Sequence, residues 1–182
     1  MIPRLLKIAR LGHPAIRAGT EPVTQDELRS DAIQQLIDDM IETMQDANGV
    51  GIAAPQVHVP KQIIVIEVPA LNPRYPGQPE VPLTVIVNPQ IASHTSETED
   101  EWEGCLSVPD LRGRVPRWRS LKLSGLDRQG NPVDIEVEGF FARVIQHEVD
   151  HLNGRVFLDR LPDLSSLTYL QEFQRYWLNP SS

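Results

Sequence analysis

The chain has 182 residues, long enough for one domain with a substantial core, and its 17 Lys plus Arg against 25 Asp plus Glu give a net charge of −8 at pH 7. That balance argues against nucleic acid as a direct substrate, and a single cysteine, Cys105, rules out an internal disulfide framework and fits a reducing compartment. Residues 1–10 hold neither an apolar run of about 7–15 residues nor a small-residue cleavage site, so no secretory signal and no membrane span is expected. The expected location is the cytoplasm, or an organelle stroma or matrix if a transit peptide has been removed.

Residues 11–23 are punctuated by Gly12, Pro14, Gly19 and Pro22 and read as an irregular arm. Thr24 and Glu27 have capping-box spacing, and Ile33, Leu36, Ile37, Met40, Ile41 and Met44 follow at helical intervals. This predicts one amphipathic helix of roughly 18–20 residues over 25–46, its apolar stripe in the core. Asn48-Gly49-Val50-Gly51 ends it, and Pro55 argues against a further helix over 52–57. Two glycines at i, i+2 suit a backbone that something approaches closely, with a plain turn as the alternative. A phosphate-binding loop lacks its third glycine, its Gly-Lys-Ser/Thr and its following helix.

Residues 62–68 and 83–87 read as strands, the first so continuously apolar that it should be central. Between them Pro69, Pro73, Pro76, Pro79 and Pro82 space an expected exposed loop. The acidic run over 90–103 reads mostly as a solvated strand or loop. Alternation over 119–126 and 132–137 around Asp127 to Asn131 predicts a β-hairpin leading into a helix. Residues 165–182 form a candidate helical tail that packs on the body or extends from it.

The helix after the hairpin carries Gln146-His147-Glu148-Val149-Asp150-His151. At that spacing the two imidazoles lie about 40° apart around the axis and about 6 Å along it, so both can reach one metal ion. Glu148 is then within reach of a water on that ion. A tetrahedral catalytic site needs a third protein ligand. No His follows His151, and Asp159, Asp163 and Glu172 have no recognisable spacing for the role. Upstream, Cys105 stands in Glu103-Gly104-Cys105-Leu106-Ser107-Val108-Pro109, where it is either a ligand or a small buried apolar residue.

Three stretches taken together, 49–56 (Gly-Val-Gly-Ile-Ala-Ala-Pro-Gln), 103–107 (Glu-Gly-Cys-Leu-Ser) and 146–151, resemble the three ordered motifs of the peptide deformylases. The early run Leu11 to Arg17 also resembles that family's N-terminal arm, and the likeness spans residues 5–160. It implies an α+β fold in which short antiparallel sheets surround a central metal-binding helix, with the amphipathic helix of 25–46 packed outside, all in one catalytic domain over 1–182.

The resemblance further implies removal of the N-formyl group from formyl-methionine of nascent polypeptides, with release of formate. Cys105, His147 and His151 would hold one divalent ion, lowering the pKa of a water from about 15.7 toward about 7. Glu148 would carry the proton. Gln56 and the backbone N–H of Leu106 would bind the developing oxyanion. Gly51 would let an extended peptide pair with the first motif, Val50 would line an apolar methionine pocket, and Arg112 would order the second motif or touch the substrate backbone. Asp150 is expected to orient a ligand histidine or its helix, and Arg143 to narrow or polarise the methionine pocket, with Glu101 and Trp102 at its mouth. The donor set favours Fe(II) as the native ion, with Zn(II), Ni(II) and Co(II) as other occupants. His13, His58 and His94 match no ligand position. The tail is a candidate for transient ribosome contact. Two other readings stay open: an H-E-x-x-H metallopeptidase, and an inactive binder of N-terminal peptides.

Overall fold

The computed structural model describes residues 2–72, 75 and 77–178. In chain order it comprises α1 (Gln25–Arg29), α2 (Asp31–Asp46), β1 (Gly51–Ala53), β2 (Ile63–Val68), β3 (Val81–His94), β4 (Thr98–Cys105), β5 (Val108–Trp118), β6 (Ser120–Leu126), β7 (Pro132–Glu138), α3 (Gly139–Leu152), β8 (Thr168–Tyr169) and α4 (Leu170–Phe173). Single 3-10 turns at Pro14–Ile16, Ala54–Val57 and Phe157–Arg160 and a wider turn at Gln174–Leu178 complete it. All strand pairs are antiparallel, in a five-stranded sheet ordered β1-β2-β3-β6-β7 and a three-stranded sheet ordered β4-β5-β8. This is the α+β arrangement expected, with α3 packed against strands of both sheets.

β2 explains why its residues are apolar without alternation. Ile63 and Val65 face α2, where Ile37, Met40 and Met44 are fully buried, while Ile64, Ile66 and Val68 face the side of α3. Successive side chains point to opposite faces, so a strand covered on both must be apolar throughout. Each such buried side chain contributes about 1.5–3 kcal/mol. A third cluster joins Ala9 and Ile16 of the arm to Cys105, Val115 and Phe157. The arm also ties the two site-bearing loops together: Ala9 N donates to Gln56 O at 2.7 Å and Leu11 N to Ser107 O at 2.8 Å.

The helix expected over 25–46 is two helices. Thr24 and Glu27 form the capping box, but Ser30 is extended (φ −72°, ψ 145°) and separates α1 from α2. Its hydroxyl donates to Glu27 O at 2.5 Å and accepts from Ile33 N at 3.3 Å, a side chain competing with the backbone. Pro55 does not prevent all helical structure, because it stands in the first turn of a 3-10 segment, where its missing N–H costs nothing. β3 runs well beyond 83–87, and most of the acidic stretch lies in β4, paired with a strand, β5, that the sequence reading left unassigned. Of the proline-spaced loop, Pro73, Arg74 and Pro76 lie outside the described residues; Leu71 is exposed, whereas Asn72 is buried. The tail packs on the body through β8, which pairs with β5 at Leu111 and Arg112, and its last residues, 179–182, are likewise outside the described set.

Candidate active site

Two elements bring the ligand candidates together. β4 ends on Cys105 beside α3, which carries His147 and His151 one turn apart, and all three residues are buried. One sulfur and two imidazole nitrogens lie within 4.8 Å of one another. Cys105 Sγ is 3.2 Å from His151 Nε2, and the two rings are 5.0 Å apart, inclined at 76°. His147 uses Nδ1 to bond Glu103 Oε2 at 2.9 Å, which leaves Nε2 for an ion. Metal bonds of about 2.0–2.3 Å require ligand separations of roughly 3.3–3.8 Å in a tetrahedron, so small side-chain rotations close this set around one ion. The donors fit a divalent transition metal.

The electrostatics agree. Burial pushes the Cys105 thiol up, but the adjacent His151 and His147 imidazoles more than reverse this and hold it well below the ordinary thiol range. Burial likewise opposes a charged His147, yet Cys105 and Glu103 raise it well above the usual imidazole value. A thiol whose ionisation is favoured by two facing imidazoles suits a cation in place of the proton. Among the described residues, two buried side-chain polar atoms have no hydrogen-bond partner: Glu148 Oε2 and His151 Nδ1. Both belong to this cluster.

Glu148 is 3% exposed, and burial pushes its carboxyl up to about 7. It packs against β1 at a position that only glycine allows: a Cβ on Gly51 would run into Glu148 Oε1. The expected role of Gly51 in peptide pairing is therefore accompanied by a second, making room for Glu148. β1 is also an edge strand, with Gly51 paired to Ile66 on its inner side.

Gln56 is fixed rather than mobile. Its side-chain oxygen accepts from Ala53 N at 2.7 Å, which directs Nε2 to Ser107 Oγ at 3.1 Å and to within 3.7 Å of Cys105 Sγ. Ser107, to which the sequence reading gave no role, donates its backbone N–H to the same sulfur at 3.3 Å.

Glu103 is the main residue the sequence reading missed. It was counted with a solvated acidic run, but it is 3% exposed and accepts from four donors: His147 Nδ1, Arg117 Nε at 2.9 Å, Arg117 Nη2 at 3.0 Å and Arg143 Nη1 at 2.8 Å. Burial opposes its ionisation, but Arg117 and His147 hold it well below the usual carboxylate range. The signal was present, since Glu103 and Cys105 are two apart on a strand and share a face. Asp150, expected to orient a ligand histidine or its helix, has bonds that suit the helix: it accepts from Arg117 Nη1 at 2.5 Å and Arg160 Nε at 3.0 Å, one step behind Glu103. Arg143 lines the cleft but turns its guanidinium to Glu103, Val115 O and Glu99 O.

The cleft leading to the cluster is lined by Val50, Tyr75, Trp102, Leu106, Phe140 and Val144 among others, an apolar set beside Cys105 and Glu148. Arg112 lies alongside: it packs on Gly104, where a Cβ would strike its guanidinium, and donates to Leu111 O at 2.8 Å. His13 packs edge-on to His58 at 4.6 Å and His94 stacks on Trp118 at 3.5 Å, away from the cluster. Of the downstream carboxylates, Asp159 pairs with Arg17 and Asp163 caps Ser165, so neither completes an endopeptidase-type ligand set.

The buried Cys105 sulfur and two imidazoles of a His-Glu-x-x-His helix, with a buried glutamate beside them whose Oε2 has no hydrogen-bond partner, define a metal-dependent hydrolase. The polypeptide deformylase family model matches residues 5–166. The chain is 47% identical over 169 residues to peptide deformylase 1 of Bordetella pertussis, covering 93% of this chain and 88% of that one. It is 44% identical over 164 residues to peptide deformylase 2 of Pseudomonas putida, covering 90% and 92%. A structure of the class I type b peptide deformylase of Acinetobacter baumannii, bound to Met-Ala-Ser, superposes with a TM-score of 0.85 at 45% identity, covering 88% of this chain and all of that one. The chain belongs to the polypeptide deformylase family.

Proposed function

We propose that this enzyme removes the formyl group from N-formyl-methionyl peptides, and that the residues named above divide the work. Cys105, His147 and His151 hold one divalent ion, which when bound supplies Lewis-acid activation of water at neutral pH. Glu148, buried at the floor of the cleft with one oxygen unpartnered, takes the proton from the attacking water and returns it to the leaving amine. Gln56 Nε2, directed by Ala53 N, and the backbone N–H of Leu106 stabilise the negative charge that develops on the formyl oxygen. The substrate backbone adds to the free edge of β1 at Val50 and Gly51, a contact blind to side chains. Arg112 packs on Gly104 at the end of β4, stiffening the strand end that presents Cys105 and Leu106.

The observation that carries this reading is the sulfur of Cys105 lying 3.2 Å from His151 Nε2, at a cleft whose lining includes Val50, Tyr75, Leu106, Phe140 and Val144. A thiolate with two neutral imidazoles leaves a divalent ion at net +1, a donor set that suits Fe(II) and also accommodates Zn(II), Ni(II) or Co(II). The same reading makes residues 1–182 one catalytic domain that acts in the cytoplasm, in transient contact with ribosomes where formylated chains emerge. A lone cysteine with no disulfide partner in the chain supports the compartment, and no helix among the described residues is long and apolar enough to cross a membrane. The test is formate release from formyl-Met-Ala-Ser by the anaerobically Fe(II)-loaded protein beside its Glu148→Ala variant. Release by the parent alone is expected; none from the parent, with peptide affinity retained, would favour the inactive binder instead.

A further inference from the structure

Five aromatic side chains frame the way out of the cleft. Tyr75 and Phe140 stand together on one side, with centroids 5.0 Å apart. On the other, Trp102 touches Phe173 at 5.1 Å and Trp177 at 5.4 Å. Tyr75, Trp102 and Phe140 line the cleft that holds Cys105 and Glu148, and all five line the cavity that continues from it. Two of the five come from the C-terminal segment, which β8 anchors by pairing Thr168 with Arg112 and Tyr169 with Leu111. Phe173 is buried beneath Trp102, but Trp177 is 58% exposed while in contact with it. An indole seated on another aromatic residue, with much of its surface open to water, still has apolar area to bury against a ring or an aliphatic chain.

We infer that Trp177 and Phe173, with Trp102, form a specificity-determining wall for the residues that follow methionine in the substrate, favouring aromatic and aliphatic side chains there. The inference rests on the deformylase reading and adds a substrate preference to it. With the formyl group at the metal ligands and the methionine side chain in the apolar cleft, the peptide continues outward at about 3.3 Å per residue, so its second and third residues pass the aromatic frame. Arg143 in the shared lining is 5% exposed and engages its guanidinium with Glu103, Val115 O and Glu99 O. Glu99 and Glu101 at the rim oppose acidic side chains.

Formyl-Met-X-Ser and formyl-Met-Ala-X, with X as Phe, Ser or Asp, test this in the full-length metal-loaded enzyme, its Trp177→Ala variant and its Trp177→Phe variant. The parent is expected to favour Phe over Ser in kcat/KM by about two- to tenfold at one of the two positions, the range an aromatic contact supplies, with Asp the poorest. Trp177→Ala should erase the preference through KM, leaving kcat in place, and Trp177→Phe should restore most of it. Equal use of Phe and Ser by the parent, or an undiminished preference in Trp177→Ala, overturns the wall while leaving the deformylase reading intact. Failure of the parent to release formate from any of these peptides overturns that reading, and the wall with it.

Discussion

Glu103 Oε2 lies 2.9 Å from His147 Nδ1, and the same carboxylate is gripped by Nε and Nη2 of Arg117. One buried acid thereby sets the tautomer of a ligand histidine and neutralises the charge beneath it. Carboxylates in this position raise ligand basicity and fix the ring. Glu103→Gln is expected to weaken metal binding by about 10–100-fold, read by chelator competition. Glu103→Ala strands Arg117 and Arg143 in the interior and should destabilise the fold by about 3–5 kcal/mol in denaturant unfolding.

Gly51 is required by space, not by backbone conformation. Adding a methyl group in Gly51→Ala displaces the buried Glu148 carboxylate from its place at the cleft floor. A shift of about 1 Å at a reacting group costs on the order of 10²-fold in kcat. Steady-state kinetics with unchanged metal content would show it; a variant with parental kcat would mean that Glu148 is not the proton carrier in this position.

Gln56→Ala removes a proposed oxyanion donor and also leaves the buried Ala53 N–H without its acceptor. The first effect should lower kcat by about 10²–10³-fold, with a smaller change in KM. The second should cost about 1–3 kcal/mol of stability. Turnover and thermal unfolding measured on one preparation separate the two.

The N-terminal arm is clamped to α2 by Arg4, whose backbone N and guanidinium bond Asp39 at 2.8, 3.1 and 2.7 Å, with Gln35 adding a fourth bond. Burial of Asp39 works against its charge, but the Arg4 bonds prevail and its pKa falls below the ordinary value. A depressed carboxylate contributes stability that is fully present above the unfolded pKa of about 3.9 and is lost as pH falls through the folded value. The melting-temperature difference between the parent and Asp39→Asn should thus stay constant from neutral pH to about pH 5 and shrink below about pH 4. A difference that grows on acidification would contradict the assignment.

The sequence shows most plainly what depends on local spacing. His147 and His151 share a helix face by their interval alone, β2 announces its double burial by unbroken apolar residues, and the turn at Asp127 to Asn131 marks the β6–β7 hairpin. What it hides depends on tertiary pairing. β5 carries Pro109, Gly113 and Pro116 with three arginines, a composition unlike a strand, and is held by β4 and by the clamp of Arg112, Arg117 and their partners. Glu103 looked solvated because its neighbours Glu97, Glu99 and Glu101 are; only the arginines brought from residues 117 and 143 make its burial affordable. Ser30 separates the capping box at Thr24 and Glu27 from the apolar stripe that begins at Ile33, since spacing cannot show which hydroxyl will turn back on the backbone.

The most direct test of the metal centre is its coordination shell. X-ray absorption at the metal edge of the loaded protein, with metal content per chain, should give one ion bound by one sulfur and two imidazole nitrogens, and the sulfur contribution should vanish in Cys105→Ser. An ion in the parent with no sulfur neighbour, or unchanged spectra in the variant, would contradict the account.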